Sequence, residues 1–296
     1  MKVAVLGAGF CGLAAAKYAL DAGHEVSLFD PGGVGAGASG VASGLLHKYP
    51  GEKALLSQDG EAAFLEALDL LQYAGDVFVQ EGIERYPVSD AQKELFSEKE
   101  EWDGEKLIFP DGVTVFAARY LQALFDKNTE RGMQFTKGTL DEPQFQKFDR
   151  VIVAVGAAIR SFSFFEKLSL RFIKGQVLIC KRPDWLTRSI IAKGYIATTE
   201  DPEVCIVGST YEHGFTNSEP SVEIAKEVIL PRIQSTVPHE ADFQVLDVKS
   251  GVRVANKHHY FPLAEEVLPG VHVLTGMGSR GLLYHALFAR KVITRL

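Results

Sequence analysis

A set of glycines near the start of the sequence is the first feature that could do chemistry. Gly7, Gly9 and Gly12 lie in the run Gly-Ala-Gly-Phe-Cys-Gly, and Asp30 follows 23 residues after Gly7. The first glycine permits a tight turn, the second lets a pyrophosphate approach the backbone, and the third allows a helix to pack closely on a strand. The carboxylate can accept hydrogen bonds from both ribose hydroxyls and would repel a 2′-phosphate. The spacing predicts a dinucleotide site that disfavours NADP and leaves FAD and NAD open.

The elements around this turn have to place it at the end of a strand. The apolar run 2–6 predicts a buried strand, 13–22 predicts a helix, and 25–29 predicts a second strand. In this order a ligand-binding turn is favoured over a glycine turn without a ligand. The helix N-terminus would offer unpaired N–H groups and a partial positive charge to phosphates.

Composition and charge narrow the class of protein. Of 296 residues, 46% are hydrophobic and 23% are charged, which is typical of a soluble globular chain with one large domain or two intimate ones. The net charge of −7 argues against nucleic acid as a partner, although a local basic patch is compatible with it. No apolar run approaches the roughly 20 residues that span a bilayer, and the start lacks a signal-peptide cleavage region. Three widely spaced cysteines suggest a cytoplasmic protein without a metal site or a disulfide framework.

Two later stretches extend the candidate cofactor site. Residues 31–40 contain five glycines, which favours close backbone approach to a ligand, with a flexible linker as the alternative. Within them, Ala38, Ser39 and Gly40 offer a hydroxyl and N–H groups to a phosphate. The run 150–155 predicts a buried strand closed by small residues, which leave room for a cofactor.

The pattern changes beyond residue 172. Short apolar runs separated by turns predict an antiparallel sheet with strands at 176–180, 189–192, 195–199 and 204–207. Helices are predicted at 61–74, 118–130 and 219–230, the last of these ended by Pro231. The charged stretch 82–106 predicts irregular surface structure. We expect the sheet to form a second domain inserted into the first, which resumes at Gly251 and ends with a strand at 271–275 and a helix from Leu282.

Several motifs in a fixed order give the sequence a family resemblance. GAGFCG with Asp30 is followed by GAGASG…SGLLH, FDRVIVAVGA, IKGQVL, GSTYE, GVRV…FPL and GMGSRGLL. This order covers nearly the whole chain and resembles FAD-dependent amine oxidoreductases of the D-amino-acid oxidase and glycine oxidase superfamily. The closing GMGSRGL is similar to the oxidoreductase domain of bifunctional tRNA methylaminomethyl-thiouridine biosynthesis proteins.

The resemblance implies a fold and a cofactor. The fold is α/β, with a glutathione-reductase-type, Rossmann-like FAD-binding domain and an inserted antiparallel-sheet (α+β) substrate domain. We expect a discontinuous FAD-binding domain over 1–80, 110–165 and 251–296, and a substrate or cap domain over 81–109 and 166–250. The implied cofactor is FAD rather than NAD.

The resemblance also implies which residues hold FAD. The AMP half lies at the first glycine turn, the second glycine stretch serves the pyrophosphate or ribityl region, and Leu45–His47 lie near the flavin ring. The last loop and helix place N–H groups near the N1–O2 edge, where they stabilise negative charge on the reduced ring. The implied cofactor-binding residues are Gly7, Gly9, Phe10, Cys11, Gly12, Asp30, Ala38, Ser39, Gly40, Leu45, Leu46, His47, Gly156, Gly278, Ser279, Arg280, Gly281 and Leu282.

The implied reaction is oxidation of the CH–NH bond of a small amino acid or secondary amine by hydride transfer to flavin N5. The protein then needs a carboxylate anchor, and the planar fork of arginine binds a carboxylate in bidentate fashion. Arg253 in GVRV and Arg280 in GSRGL are the candidates, each with a purely structural contact as the alternative. Tyr195 could roof the substrate and His47 could tune the protonation of the amine, with packing or capping as the alternatives.

Departures from the family pattern keep other functions open. The chain is short for the family, and the run 256–262 lacks an expected Asp before its Pro-apolar pair. One alternative is a stand-alone oxidoreductase that removes carboxymethylaminomethyl modifications from wobble uridines in tRNA. The other is a flavin-binding protein without turnover that serves in assembly. The sequence is silent on the oligomeric state and on the electron acceptor.

Overall fold

The described part of the chain, residues 1–237 and 242–296 of a computed structural model, contains three sheets and six α-helices. Its strands are β1 (Lys2–Leu6), β2 (Glu25–Phe29), β3 (Leu45–Leu46), β4 (Phe78–Val79), β5 (Ile83–Arg85), β6 (Leu107–Phe109), β7 (Val113–Val115), β8 (Gln134–Thr136), β9 (Arg150–Val153), β10 (Leu170–Lys181), β11 (Ser189–Ile191), β12 (Tyr195–Thr198), β13 (Val204–Gly208), β14 (Val245–Asn256), β15 (Leu263–Leu268) and β16 (Val271–Thr275). Its helices are α1 (Phe10–Asp21), α2 (Gly60–Ala74), α3 (Asp90–Ser97), α4 (Ala117–Glu130), α5 (Val222–Gln234) and α6 (Gly281–Ile293).

The first sheet carries the glycine turn. Its six strands lie in the order β15, β16, β9, β1, β2, β8, and all neighbours are parallel except the antiparallel pair β15 and β16. Helices α1 and α6 pack on one face, and short 3₁₀ segments between residues 142 and 167 pack on the other. Because both faces are covered, β1 and β9 read as continuous apolar runs, and the turn after β1 lies at the carboxyl edge of the sheet.

The second sheet faces this edge. Its seven strands lie in the order β14, β10, β13, β12, β11, β5, β6, antiparallel except for the parallel pair β11 and β5. Side chains alternate between its two faces, so that Ile196 packs toward α5 while Tyr195 faces a cleft. A small antiparallel sheet in the order β3, β7, β4 completes the fold.

The mixed α/β fold predicted from the sequence is confirmed, and most predicted elements are present with small shifts at their ends. One predicted helix end was wrong. Helix α5 continues through Pro231 to Gln234, although a proline inside a helix costs about 3 kcal/mol. Buried Ile229 and Ile233 anchor the helix to the second sheet on both sides of the proline, and this packing outweighs the lost backbone hydrogen bond.

The interpretation of residues 82–106 as irregular surface was also wrong. This stretch contains β5 and α3, and Arg85 on β5 is only 7% exposed. Ile83 on the same strand is fully buried. The many charged residues of this stretch suggested exposure to solvent. However, β5 lies between β11 and β6 in the second sheet, where even a cationic side chain is covered.

None of the helices in residues 1–237 and 242–296 is long and apolar enough to cross a membrane.

Candidate active site

A cleft of about 1310 Å³ lies between the first and second sheets. It exceeds the roughly 300–1,000 Å³ of ordinary small-ligand pockets, so it has room for a large cofactor and a substrate together. The first glycine turn and Asp30 line one end, and Tyr195 and Arg253 on the second sheet line another part.

The glycine turn is built by contacts that only glycine permits. Gly7 has a φ of +104°, and its N–H donates to the carbonyl of Phe29 at 2.8 Å. A Cβ on Gly12 would lie 1.8 Å from the carbonyl oxygen of Gly7, so α1 can start against the turn only without that side chain. A Cβ on Gly9 would lie 2.8 Å from Ser39 Oγ, which accepts a hydrogen bond from the N–H of Phe10 at 3.2 Å. Ser39 therefore joins the second glycine stretch to the start of α1.

The carboxylate of Asp30 holds the same turn in place. One oxygen accepts the N–H of Ala8 at 2.8 Å, and the other accepts the N–H groups of Gly32 and Gly33 at 2.8 and 2.9 Å. A carboxylate has about four acceptor positions, so three are used by the backbone. One position is left for a ligand donor, and the hydrogen bonds from the ribose hydroxyls stay a prediction.

The shape and polarity of the cleft fit an elongated anionic cofactor such as FAD. Helices α1 and α6 both begin at its wall, where Phe10 and Gly281 line it. First-turn N–H groups have no acceptor within their own helix, and each helix N-terminus carries partial positive charge. A Cβ on Gly251 would lie 2.9 Å from the Cα of Ala38, so the floor at this point is bare backbone. The N-terminus of one helix suits a pyrophosphate, and the N-terminus of the other suits an anionic ring edge. The bare backbone at Gly251 leaves room for the cofactor on the floor of the cleft.

Most of the predicted cofactor-binding residues line the cleft. They are Gly7, Gly9, Phe10, Cys11, Asp30, Ala38, Ser39, Leu45, His47, Gly156, Gly278, Ser279, Gly281 and Leu282. The exceptions are Gly12, Gly40, Leu46 and Arg280, which do not border it. Gly12 and Gly40 contact backbone instead, and Leu46 points into the core because side chains alternate along β3. Burial raises the pKa of the Cys11 thiol to about 12, so the thiol stays protonated at neutral pH.

Arg253 is the candidate carboxylate anchor that faces the cleft. Its guanidinium donates to Ser209 Oγ at 3.3 Å and to the carbonyl of Thr210 at 3.1 Å, and it lies 4.5 Å from the ring centre of Tyr211. Within the described ranges it forms no ion pair with a carboxylate. A half-buried guanidinium that is oriented by neutral groups keeps its charge available for an anion.

Tyr195 lies beside this guanidinium. Its side chain interacts with Ser43 and Ser209, and a Cβ on Gly208 would lie 2.4 Å from its hydroxyl oxygen. Burial raises the pKa of the Tyr195 phenol, so the hydroxyl stays protonated at neutral pH and remains a donor.

Gly175 leaves the space that Arg253 occupies. A Cβ on Gly175 would lie 1.9 Å from a terminal nitrogen of Arg253 and would displace the guanidinium rather than backbone. We expect Gly175→Ala to fold and bind FAD but to weaken binding of carboxylate substrates about tenfold, because the fork would be misplaced. Steady-state kinetics and flavin content measure the two effects, and an unchanged KM would contradict the assignment.

Arg280, the other candidate anchor, lies outside the cleft lining. Its guanidinium donates to Ser57 Oγ at 3.1 Å and lies 4.7 Å from the ring centre of Tyr260. Tyr284 on α6 bonds the same Ser57 hydroxyl and the carbonyl of Gln58. Arg280 therefore ties the segment after β3 to the start of α6.

His47 lines the cleft as a neutral ring. It stacks on Phe109 with ring centres 5.2 Å apart, and Nδ1 accepts the N–H of Tyr49 at 3.3 Å. Burial and, to a lesser degree, the charge of Arg85 lower the pKa of His47 to about 3. The single proton of the neutral ring is then on Nε2, which makes His47 a hydrogen-bond donor rather than a base at that atom.

Arg85 is a buried, charged residue of the cleft that the sequence did not indicate. It is buried, lines the cleft, and donates to the carbonyls of Tyr49, Gly51 and Glu52 at 3.3, 2.6 and 3.3 Å. The sequence signal that could have found it was the alternation of Ile83 and Arg85, which places both on one side of a short strand.

A second buried histidine supports the start of α6. Nδ1 of His285 donates to the carbonyl of Leu282 at 2.8 Å, and the hydroxyl of Tyr120 donates to Nε2 at 2.7 Å. Burial lowers the pKa of His285 to about 4. The described residues contain no group of three or more His, Cys, Asp or Glu side chains arranged to hold a metal ion.

The buried His285 should make stability depend on pH. Its pKa is about 6.5 in an unfolded chain and about 4 in the fold, so between these values only the unfolded state takes up the proton. The free energy of unfolding should therefore fall as pH drops from 6.5 to 4, by roughly 1.4 kcal/mol per pH unit for this group. Urea unfolding at several pH values should show a flatter dependence for His285→Gln than for the native chain. The same slope in both proteins would show that His285 is not the group responsible.

The chain is similar to proteins of known sequence and structure. A family model described as "DAO: FAD dependent oxidoreductase" matches residues 2–295. The tRNA 5-methylaminomethyl-2-thiouridine biosynthesis bifunctional protein MnmC of Maricaulis maris (strain MCS10) is 28% identical over 99% of the chain, which covers 52% of that protein. The chain thus spans about half the length of the curated relatives that it matches.

Solved structures show the same fold. Glycine oxidase from Bacillus cereus ATCC 14579 has a TM-score of 0.80 and 17% identity, covering 99% of this chain and 94% of that one. Iminodiacetate oxidase (IdaA) from Chelativorans sp. BNC1 has a TM-score of 0.76 and 16% identity, covering 98% and 94%. With a family model that spans nearly the whole sequence and a cleft that fits its cofactor, the chain belongs to the DAO family of FAD-dependent oxidoreductases.

Proposed function

We propose that this oxidoreductase oxidises the CH–NH bond of a small amino acid or secondary amine that carries a carboxylate. The observation that carries the proposal is Arg253, a guanidinium in the cleft without a carboxylate partner among the described residues. The planar fork suits bidentate binding of a carboxylate. The tyrosines beside it, Tyr195 and Tyr211, supply a hydroxyl and an aromatic face.

The proposal includes a division of labour between two domains. We assign FAD to a discontinuous domain of glutathione-reductase type at 1–80, 110–165 and 251–296, and the substrate cover to 81–109 and 166–250. In support, the two latter segments supply β5, β6 and β10 to β13 of the second sheet. β14 begins in the cover and ends in the FAD-binding domain.

The residues of the cleft have distinct tasks in this mechanism. Bound FAD supplies the hydride acceptor for the reaction. Arg253 binds the substrate carboxylate and fixes the Cα–H direction, and the Tyr195 hydroxyl donates a hydrogen bond beside it. The apolar part of the second sheet, which includes Val177 and Ile191, excludes water from the reacting carbon. Fixing donor and acceptor atoms at about 3–3.5 Å is the main contribution of such a site.

Helix α6 and the first glycine turn would hold the cofactor. Gly281 and Leu282, in the first turn of α6, line the cleft, and we assign the flavin ring to this part, where the helix N-terminus would favour negative charge. The turn at Gly7 and the Ser39 hydroxyl would hold the AMP and pyrophosphate end.

Two relatives support a substrate of this class. One is named glycine oxidase and the other iminodiacetate oxidase, and both named substrates are amines with a carboxylate one carbon away. An anaerobic screen of amino acids and N-substituted glycines, read as bleaching of the flavin absorption bands, tests the proposal directly. Protein that holds FAD and is bleached by none of the carboxylate-bearing amines would overturn it.

A second candidate is the oxidation of carboxymethylaminomethyl groups on tRNA. The similarity to the Maricaulis protein, whose name refers to tRNA modification, favours it. The net charge of −7 weighs against it. Binding to modified tRNA at low salt, together with bleaching of the flavin by that tRNA, would establish this candidate over the small-amine one.

A further inference from the structure

The charge of Arg85 is buried, and the carboxylate of Glu52, which also lines the cleft, interacts with it only beyond ion-pair distance. Its side chain lies on the cleft, it is 7% exposed, and within the described residues it forms no ion pair with a carboxylate. Its acceptors are three backbone carbonyls, and its guanidinium carbon lies 5.3 Å from the ring centre of Phe96. A buried charge whose carboxylate neighbour lies beyond ion-pair distance costs free energy, which an anion in the cleft would recover.

Arg85 still has donors to offer. A guanidinium has five N–H groups, and the three carbonyl contacts use NH1 once and NH2 twice, which leaves one N–H on NH1 and the Nε–H. The burial of Arg85 lowers its pKa only to about 10, so the charge persists at neutral pH.

His47 adds a donor at the same place. Both residues line the cleft and bond the backbone of Tyr49, Arg85 through the carbonyl and Nδ1 of His47 through the N–H, which leaves the proton of the neutral ring on Nε2. Within residues 1–237 and 242–296, no acidic side chain is bound to either group. A cation and a neutral N–H donor side by side favour an anionic group over an amine.

The strand register places this pair at a distance from Arg253. Arg85 pairs with Ile191, Ile191 with Tyr195, and Tyr195 with Gly208, next to the serine that Arg253 contacts. Arg85 is thus two strands from Tyr195, roughly 10 Å, while the guanidinium of Arg253 is on the other side of Tyr195. The proposed substrate carboxylate and the Arg85 region flank Tyr195 along one face of the sheet.

We propose that Arg85 and the Nε2–H of His47 form a second anion subsite, and that the substrate is an N-substituted amino acid whose other arm ends in a carboxylate or a phosphate. This rests on the proposed function, in which Arg253 binds the first carboxylate. The separation of the two subsites requires an arm of several bonds, so neither glycine nor iminodiacetate would fill both.

Binding of unreactive ligands to the FAD-loaded protein tests the subsite without turnover. Straight-chain dicarboxylates of increasing length are compared with monocarboxylates of the same length by calorimetry or by perturbation of the flavin spectrum. At the matching length we expect the dicarboxylate to bind about tenfold tighter, as for an added charge-assisted hydrogen bond. A phosphonate at the far end in place of the second carboxylate distinguishes the two anions. Equal affinity of dicarboxylates and monocarboxylates at all lengths would overturn the proposal.

Variants assign the preference to Arg85. Arg85→Gln should reduce the dicarboxylate preference to about one, and Arg85→Lys should retain part of it because the charge remains. Arg188→Gln is the matched control, since Arg188 lies near the same strand, pairs with Glu84 and does not line the cleft. If Arg85→Gln fails to fold, the affinities of the ligand series for the native protein and for Arg85→Lys still test the subsite. A full preference in Arg85→Gln would refute the assignment.

The same ligands separate the two proposals. If no amine bleaches the flavin while the dicarboxylate preference depends on Arg85, the proposed reaction fails and the subsite stands. If N-alkyl and N-(carboxyalkyl) glycines both bleach the flavin and are oxidised with equal KM at every length, the proposed reaction stands and the subsite fails.

Discussion

Replacing Arg253 with alanine is expected to raise the KM for carboxylate-bearing amines about 100-fold, with FAD content unchanged. The reason is that the guanidinium is half-buried, is oriented by Ser209 and Thr210, and has no counterion among the described residues. Its truncation removes both N–H groups that would bind the substrate carboxylate. The fold should tolerate the change, because the hydrogen bonds that would be lost reach one hydroxyl and one carbonyl at the cleft wall.

Three comparisons make this prediction specific. Arg253→Lys should lie between the native chain and the alanine variant, because lysine keeps the charge without the fork. Arg119→Ala removes a surface arginine of α4 that pairs with Asp76 and Glu200, and it should leave kinetics unchanged. Amines without a carboxylate should be oxidised equally by the native and alanine enzymes. An alanine variant with native KM for carboxylate substrates would exclude Arg253 as the anchor.

Gly12→Ala should abolish FAD binding and destabilise the fold by about 3 kcal/mol. The new Cβ would lie 1.8 Å from the carbonyl oxygen of Gly7, so one backbone segment meets another and no side-chain rotation relieves the contact. Helix α1 would have to move away from the turn, and its N-terminus would leave the cleft wall. Flavin absorbance of the purified protein and urea unfolding measure the two losses.

A matched glycine substitution controls for the general cost of a methyl group. Gly214→Ala meets no atom within 4 Å, and this residue does not border the cleft. It should keep FAD and native stability. Native flavin content in Gly12→Ala would instead show that α1 can shift without loss of the cofactor, and that close packing of α1 on the turn is not required for binding.

The glycine turn was predictable because its determinants are local. Gly7, Gly12 and Asp30 are close in sequence, and the packing of Gly12 on Gly7 and the hydrogen bond from Ala8 to Asp30 lie within the same βαβ unit. The strands β10 to β13 of the second sheet were also predictable, because short apolar runs separated by turns mark them in the sequence.

Side-chain direction was not predictable where it depends on distant segments. Arg280 lies in a motif beside the cleft, yet its guanidinium turns to Ser57 and Tyr260, and no sequence pattern links these residues to the motif. Arg85 is the converse case, because a charged stretch concealed a buried strand whose neighbours, β11 and β6, come from other parts of the chain. Alternation along β5 limits Arg85 to one of two faces, but only the assembled sheet decides that this face borders the cleft.

The strand β14 has a consequence for how such an enzyme can change by insertion and deletion. Gly251, which packs against the 3₁₀ segment at Ala38, and Arg253, which reaches over Gly175, are two residues apart on one continuous strand. Because side chains alternate, one residue gained or lost between them would turn the arginine to the opposite face of the sheet. Loops at the ends of the cleft are free to vary in length. The two-residue spacing between Gly251, on the floor of the cleft, and Arg253, the proposed carboxylate anchor, is fixed by the alternation of side chains along β14.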